Sequence, residues 1–221
     1  MQQLDASLDA AFALELPHYS VYSLKVEENT PFHTWYENGQ LALPDEETEL
    51  HMYERIMERM EQNGYKQYEI SNFALEGYEG RHNLTYWRNE SYYGFGAGAH
   101  GYHNGVRHVN IAGVRPYIEA AQKGLPRSEE RAIGRAEAME DFMIVGLRVL
   151  DGVDRRHFYR QFDCDLEPIF RDPLEKGLEL GLLEATKSGY RLTRKGLIYG
   201  NEVFASFLGE AEKADAADIS Y

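Results

Sequence analysis

The sequence predicts an α/β front half built round an incomplete parallel sheet, followed by an α+β back half of winged-helix type. Three observations carry this. Helix and strand patterns alternate up to residue 71, an Asn-Gly pair marks a hairpin at 104–105, and a run of amphipathic helices leads into a two-stranded wing.

Leu4, Leu8, Ala11 and Phe12 at helical spacing predict a first helix, and His18-Tyr19-Ser20-Val21-Tyr22-Ser23-Leu24, just past Pro17, reads as a strand. A turn-rich stretch at Asn29-Thr30-Pro31 precedes a strong helix, with Asp45 as N-cap, Leu50, Tyr53, Ile56, Met57 and Met60 on one face and Gly64 as its stop. Tyr68-Glu69-Ile70-Ser71 reads as the next strand. The order αβαβ is that of a parallel sheet with crossover helices, and two or three strands are too few to complete one. Asn104-Gly105, between Gly101-Tyr102-His103 and Val106-Arg107-His108-Val109, predicts a type I′ hairpin. A helix from about Arg115 to Gln122 and the break Gly124-Leu125-Pro126 place a domain boundary near residue 127.

The back half opens with Met139, Phe142, Met143, Gly146, Leu147 and Leu150 along one helical face, stopped by Gly152. Asp154 caps a short helix through Phe158, Tyr159 and Phe162, and Asp172-Pro173 starts another through Leu174, Leu178 and Gly181. Leu183-Glu184-Ala185-Thr186 and Tyr190-Arg191-Leu192-Thr193 form the wing, and Thr193 caps a last helix through Leu197, Ile198, Phe204 and Phe207. The domains are therefore 1–126, 127–208 and an acidic tail, 209–221, without an apolar stripe and expected to fray.

A net charge of -14 opposes nucleic acid and anionic lipid as partners. The single cysteine, Cys164, excludes an internal disulfide, a Cys-based zinc cage and an iron–sulfur cluster made by this chain alone, and it suits a reducing cytoplasm. No apolar run reaches membrane-span length, and the start lacks the pattern of a signal peptide. The open edge of the incomplete sheet is a pairing template, so self-association into a homo-oligomer is expected.

The richest segment is 81–102, RHNLTYWRNESYYGFGAGAHGY. His82, between Arg81 and Asn83 in an expected loop, is a metal-ligand candidate, and Tyr86 and Trp87 suit a flat apolar pocket. Gly94, Gly96, Gly98 and Gly101 let backbone approach a ligand closely. Gly96-Ala97-Gly98-Ala99-His100-Gly101 formally matches G-x-G-x-x-G, but a hairpin follows it where the dinucleotide motif needs a helix. His100 and His103 point to opposite faces of an extended segment and do not form a zinc pair. Glu46, Glu47 and Glu49 read as a solvated helix face.

Four segments in order carry a resemblance: His18 to Leu24, Tyr68 to Ala74, Arg81 to Trp87 and Gly94 to His100. Together they resemble the HemW-type heme chaperones, relatives of oxygen-independent coproporphyrinogen III oxidase in the radical S-adenosylmethionine (SAM) superfamily. The resemblance covers about 4–208, and His-Asn-x-x-Tyr-Trp is its most specific part. It implies a partial (β/α) barrel, of which this chain holds the C-terminal remnant, and then a smaller helical domain. The family's C-x-x-x-C-x-x-C motif for a [4Fe–4S] cluster is absent here, so cluster and SAM belong to full-length members and this chain alone is expected to be inactive in radical chemistry. The resemblance also implies heme binding by His82, Asn83, Tyr86 and Trp87, with His82 on the iron and Arg81 and Arg88 at the propionates. Gly96, Gly98, Ala99 and His100 correspond to the remnant of a SAM pocket. Heme or porphyrin and heme-acceptor proteins are the implied partners, with membrane contact only through such acceptors. Two other readings are a part of a true coproporphyrinogen III oxidase, acting by oxidative decarboxylation, and a winged-helix module binding nucleic acid or protein.

Overall fold

A computed structural model describes residues 1–218, which divide into two compact units, one spanning Met1–Glu79 and the other running from Gly80 onward. The first unit contains α1 (Gln2–Phe12), β1 (His18–Ser20), α2 (Pro31–Glu37), α3 (Glu46–Gln62), β2 (Lys66–Glu69) and β3 (Asn72–Ala74). Asp45 caps α3 as expected, its carboxylate accepting the Thr48 N–H at 2.8 Å. The apolar faces of α1 and α3 close on the sheet through Leu8, Ile56, Met57, Met60, Tyr65 and Phe73. Arg55 and Arg59 of α3 clasp Asp5 of α1 at 2.8 and 3.1 Å.

The expected parallel sheet is not what forms. The strand order is β1-β3-β2, and both pairings are antiparallel. The reason lies at Glu69, whose buried carboxylate accepts the Ser71 N–H at 3.2 Å and the Asn72 side-chain amide. These bonds reverse the chain where the alternating pattern had read a single strand, so Tyr68–Ser71 splits into the end of β2 and a turn. Ser20 donates to the Asn72 side-chain oxygen and ties β1 to the same corner. The strand expected to reach Leu24 ends at Ser20, and the stretch at Asn29-Thr30-Pro31 is followed by helix α2, capped by Thr30.

The second unit begins with α4 (Arg81–Trp87), β4 (His100–His103), β5 (Val106–Asn110), α5 (Val114–Ala121) and β6 (Arg127–Ala132). Asn104 and Gly105 have φ of 51° and 73°, the left-handed pair a type I′ turn requires, and β4 and β5 pair in register across it. The strand β6, with its charged sequence RSEERA, adds to β5 antiparallel. The boundary expected near residue 127 therefore lies where a strand joins the hairpin sheet.

Beyond it come α6 (Arg135–Gly146), β7 (Val153–Asp154), α7 (Arg155–Phe162), α8 (Leu166–Ile169), α9 (Arg171–Glu179), β8 (Leu183–Ala185), β9 (Gly189–Leu192), α10 (Arg194–Ile198), α11 (Gly200–Ala205) and α12 (Glu210–Asp218). The strands β8 and β9, expected as a wing, join β7 in an antiparallel sheet of order β7-β9-β8. The core is aromatic: Phe142, Phe158, Phe170 and Phe207 follow one another at centroid spacings of 5.3, 6.1 and 5.6 Å. Asp154 caps α7, accepting the His157 N–H at 2.7 Å. The last helix is interrupted at Tyr199, giving α10 and α11. Over 210–218 the tail forms α12, whose first turn is seated by Ala211, 1% exposed, its N–H donating to the Glu140 carboxylate at 3.1 Å. A buried alanine and a buried acceptor thus hold the start of α12, where the missing apolar stripe suggested fraying. Residues 219–221 lie outside the described residues. No helix among the described residues is long and apolar enough to cross a membrane.

Candidate functional site

His82 lies on a helix, not in the expected loop, and the local sequence explains why. Asn89 takes φ 53°, and the N–H groups of Asn89 and Glu90 fold back onto the carbonyls of Tyr86 and Thr85, both at 3.0 Å. This left-handed stop closes a seven-residue helix whose first residue is Arg81. Thr85 adds a hydroxyl bond to the Arg81 carbonyl at 3.0 Å.

Helical geometry then sorts the motif into two faces. His82 and Tyr86, four apart, meet: the Tyr86 hydroxyl lies 2.7 Å from His82 Nε2, and their rings are edge-on at 4.6 Å. Tyr86 in turn sits edge-on to Tyr92 at 4.4 Å. Tyr92 is pinned by paired backbone bonds with Tyr102, at 2.7 and 2.9 Å, and burial, aided by Tyr86, raises its phenol pKa. His82 itself is exposed, as are Arg81 and Arg88, neither of which makes an ion pair among the described residues.

Asn83 and Trp87 share the other face. The Trp87 ring lies under the Arg148 guanidinium at 5.3 Å, and Arg148 also covers Phe204 at 4.6 Å. The indole N–H is buried without a hydrogen-bond partner. Trp87 also borders a cavity of about 260 Å³ walled by Arg88, Phe142, Val153, His157 and Ser188. Tyr86 and Trp87, expected to line one flat pocket together, thus face different surroundings. Trp87 thus packs α4 against the segment that follows α6.

The glycine segment is a tight turn whose amides are largely used internally. A side chain at Gly94 would put Cβ 2.2 Å from the His100 carbonyl oxygen, so only glycine fits. Gly96 and Gly98 have φ of 105° and 70°. The Gly96 N–H donates to the Tyr117 hydroxyl at 3.1 Å and the Gly98 N–H to the Ile111 carbonyl at 3.0 Å. Asn110, buried, donates to the carbonyls of Gly94 and Gly96, both at 3.0 Å. Ala99 leads into β4, whose first residue, His100, is exposed. Tyr93 and Phe95 are left outward, 59% and 87% exposed, and Tyr93 stacks near His103 at 4.9 Å.

Sequence reasoning missed Tyr92, Arg148, Asn110 and Tyr117, whose roles arise from contacts distant in the chain. Only Asn110, the polar residue that closes the second strand of the Asn-Gly hairpin, offered a local signal. Among the described residues no group of three or more His, Cys, Asp and Glu is placed to hold a metal ion. Cys164 is a lone thiol whose pKa burial raises, against the pull of Arg135 3.5 Å away, and one thiol does not fit a [4Fe–4S] cluster. Heme has a better-matched donor set: an exposed imidazole, two exposed guanidiniums without ion pairs, and aromatic rings on the segment that follows.

Comparison with known proteins defines the class first. Residues 133–199 match the HemN C-terminal domain. The chain is 45% identical to the heme chaperone HemW of Bacillus subtilis, over 95% of this chain and 56% of that protein. It is 38% identical to the HemW of Lactococcus lactis over 94% and 55%. A mouse protein called radical S-adenosyl methionine domain-containing protein 1, mitochondrial, is 30% identical over 89% and 47%. The fold resembles that of coproporphyrinogen III oxidase (HemN) from Escherichia coli, a radical SAM enzyme, with a TM-score of 0.70 at 16% identity, over 93% of this chain and 51% of that one. The chain belongs to the HemW/HemN-like family, and it spans about half the length of the curated relatives it matches.

Proposed function

We propose that this chain is the C-terminal part of a HemW-like heme chaperone and that it binds heme at His82 for transfer to acceptor proteins. The observation that carries the reading is the exposed His82 imidazole, backed by Tyr86, on a helical segment flanked in sequence by the exposed Arg81 and Arg88. A neutral imidazole is a good iron ligand, and guanidiniums pair with carboxylates such as propionates. Asn83 and Trp87 share the other face of the helix, where Trp87 packs under Arg148. Similarity to proteins named heme chaperone over nearly the whole chain supports the same assignment.

On this reading residues 1–126 are what this chain keeps of a partial (β/α) barrel, and 127–208 form a winged-helix-like domain around the match at 133–199. Gly96, Gly98, Ala99 and His100 form the wall that would face SAM in a full-length protein. With one cysteine the chain supplies no cluster, and radical chemistry belongs to the longer protein. The net charge of -14 favours protein acceptors over nucleic acid. A reducing cytoplasm suits the single thiol. Strands β1 and β2 flank a three-stranded sheet and offer edges for self-association, which light scattering measures.

The test is a hemin titration followed by absorption, then incubation of the loaded protein with an apo-globin. A saturable Soret band and passage of heme to the globin are expected. A chain that leaves the hemin spectrum unchanged refutes the proposal.

A further inference from the structure

Resting on the heme reading just given, we infer that His82 meets iron through Nδ1, while its Nε2 is held by the Tyr86 hydroxyl. A metal-bound imidazole nearly always donates its second ring N–H to a fixed partner, which sets both tautomer and ring orientation. Here that partner is already in place: the Tyr86 hydroxyl lies 2.7 Å from Nε2. Tyr86 is in turn buttressed edge-on by Tyr92 at 4.4 Å, and Tyr92 is fixed to Tyr102 by backbone bonds at 2.7 and 2.9 Å. The tyrosine is braced from behind, so Nε2 is the occupied nitrogen and Nδ1 the open one.

The proton balance is simple. A phenol hydroxyl can donate or accept. When it accepts, Nε2 carries the single ring proton and Nδ1 presents its lone pair, so a neutral imidazole binds iron without losing a proton. Tyr86 is then a positioning residue acting through His82. The opposite geometry, ligation through Nε2, would require the Tyr86 bond to break, and the hydroxyl would compete with iron. The two arrangements predict opposite signs for loss of that hydroxyl.

Tyr86→Phe keeps the ring and its packing on Tyr92 and removes only the oxygen. Hemin affinity of the full chain is measured for wild type, Tyr86→Phe and His82→Ala, with the reduction potential of each complex. Imidazole ¹⁵N shifts of His82 are recorded without hemin. The expected results are an about tenfold weaker affinity and a shifted potential for Tyr86→Phe, the size typical of losing such a partner, with altered His82 ¹⁵N shifts and loss of the wild-type Soret band in His82→Ala. Equal or tighter hemin binding by Tyr86→Phe, with His82→Ala still defective, overturns the inference and leaves the heme reading standing. Unchanged binding by His82→Ala overturns both.

Discussion

Trp87 tests whether the motif helix is held by packing. Its indole lies under Arg148 and borders the cavity beside Phe142 and Val153, so Trp87→Ala removes a half-buried aromatic and its cation–π contact. A fully buried aromatic costs about 3–5 kcal/mol on truncation to alanine, and half-burial brings the expected loss to about 2–3 kcal/mol. At about 2–4 °C per kcal/mol for a chain of this size, the melting temperature should fall by roughly 4–12 °C. Trp87→Phe behaves differently, because it keeps a ring under Arg148 and deletes a buried N–H that has no partner. Relief of that unpaired donor offsets the lost area, and the change should stay within about 1 kcal/mol. Calorimetry measures both variants, and hemin titration should find Trp87→Phe equal to wild type. Should Trp87→Phe lose hemin binding while keeping its melting temperature, Trp87 is a porphyrin contact and the anchoring account is refuted.

Other predictions follow from close contacts and buried polar groups. Asn110→Ala removes two bonds to the glycine turn and should cost about 1–3 kcal/mol, with faster proteolysis within 94–98. Gly152→Ala places Cβ 2.0 Å from the Tyr190 carbonyl oxygen at φ 77°, so a loss of about 3 kcal/mol or more, or insoluble protein, is expected. His108 is buried, and burial first, then Arg127 and His103, hold its pKa below the usual histidine range. With the folded value depressed, its contribution to stability is present above the ordinary histidine pKa and is lost as pH falls below it. Thermal stability should therefore decline from pH 7.5 to 5, and His108→Gln should flatten that slope. A slope unchanged by the substitution contradicts the assignment.

The parts legible in the sequence were those fixed by neighbours along the chain. Asp45, Asp154 and Thr193 cap the helices they were expected to cap, and Asn104-Gly105 makes the expected hairpin, because a cap or a two-residue turn is decided within four positions. The parallel sheet was misread because Ile70 and Ser71 continue an alternating pattern, while the reversal there depends on buried Glu69 meeting Asn72. The charged strand β6 was hidden because its pairing with β5, not its own apolar content, makes it a strand. The chemistry-bearing segment was recognisable as a motif. Its division into a His82–Tyr86 face and a Trp87 face required the helix that Asn89 terminates, and the braces Tyr92 and Arg148 come from contacts no local pattern reveals.

The claim that His82 is the iron ligand meets its most direct test in electron paramagnetic resonance of the ferric hemin complex, using protein carrying ¹⁵N-labelled histidine. A hyperfine coupling from a histidine nitrogen, lost in His82→Ala and kept in His100→Ala and His103→Ala, is the expected result. A coupling that survives in His82→Ala contradicts the account.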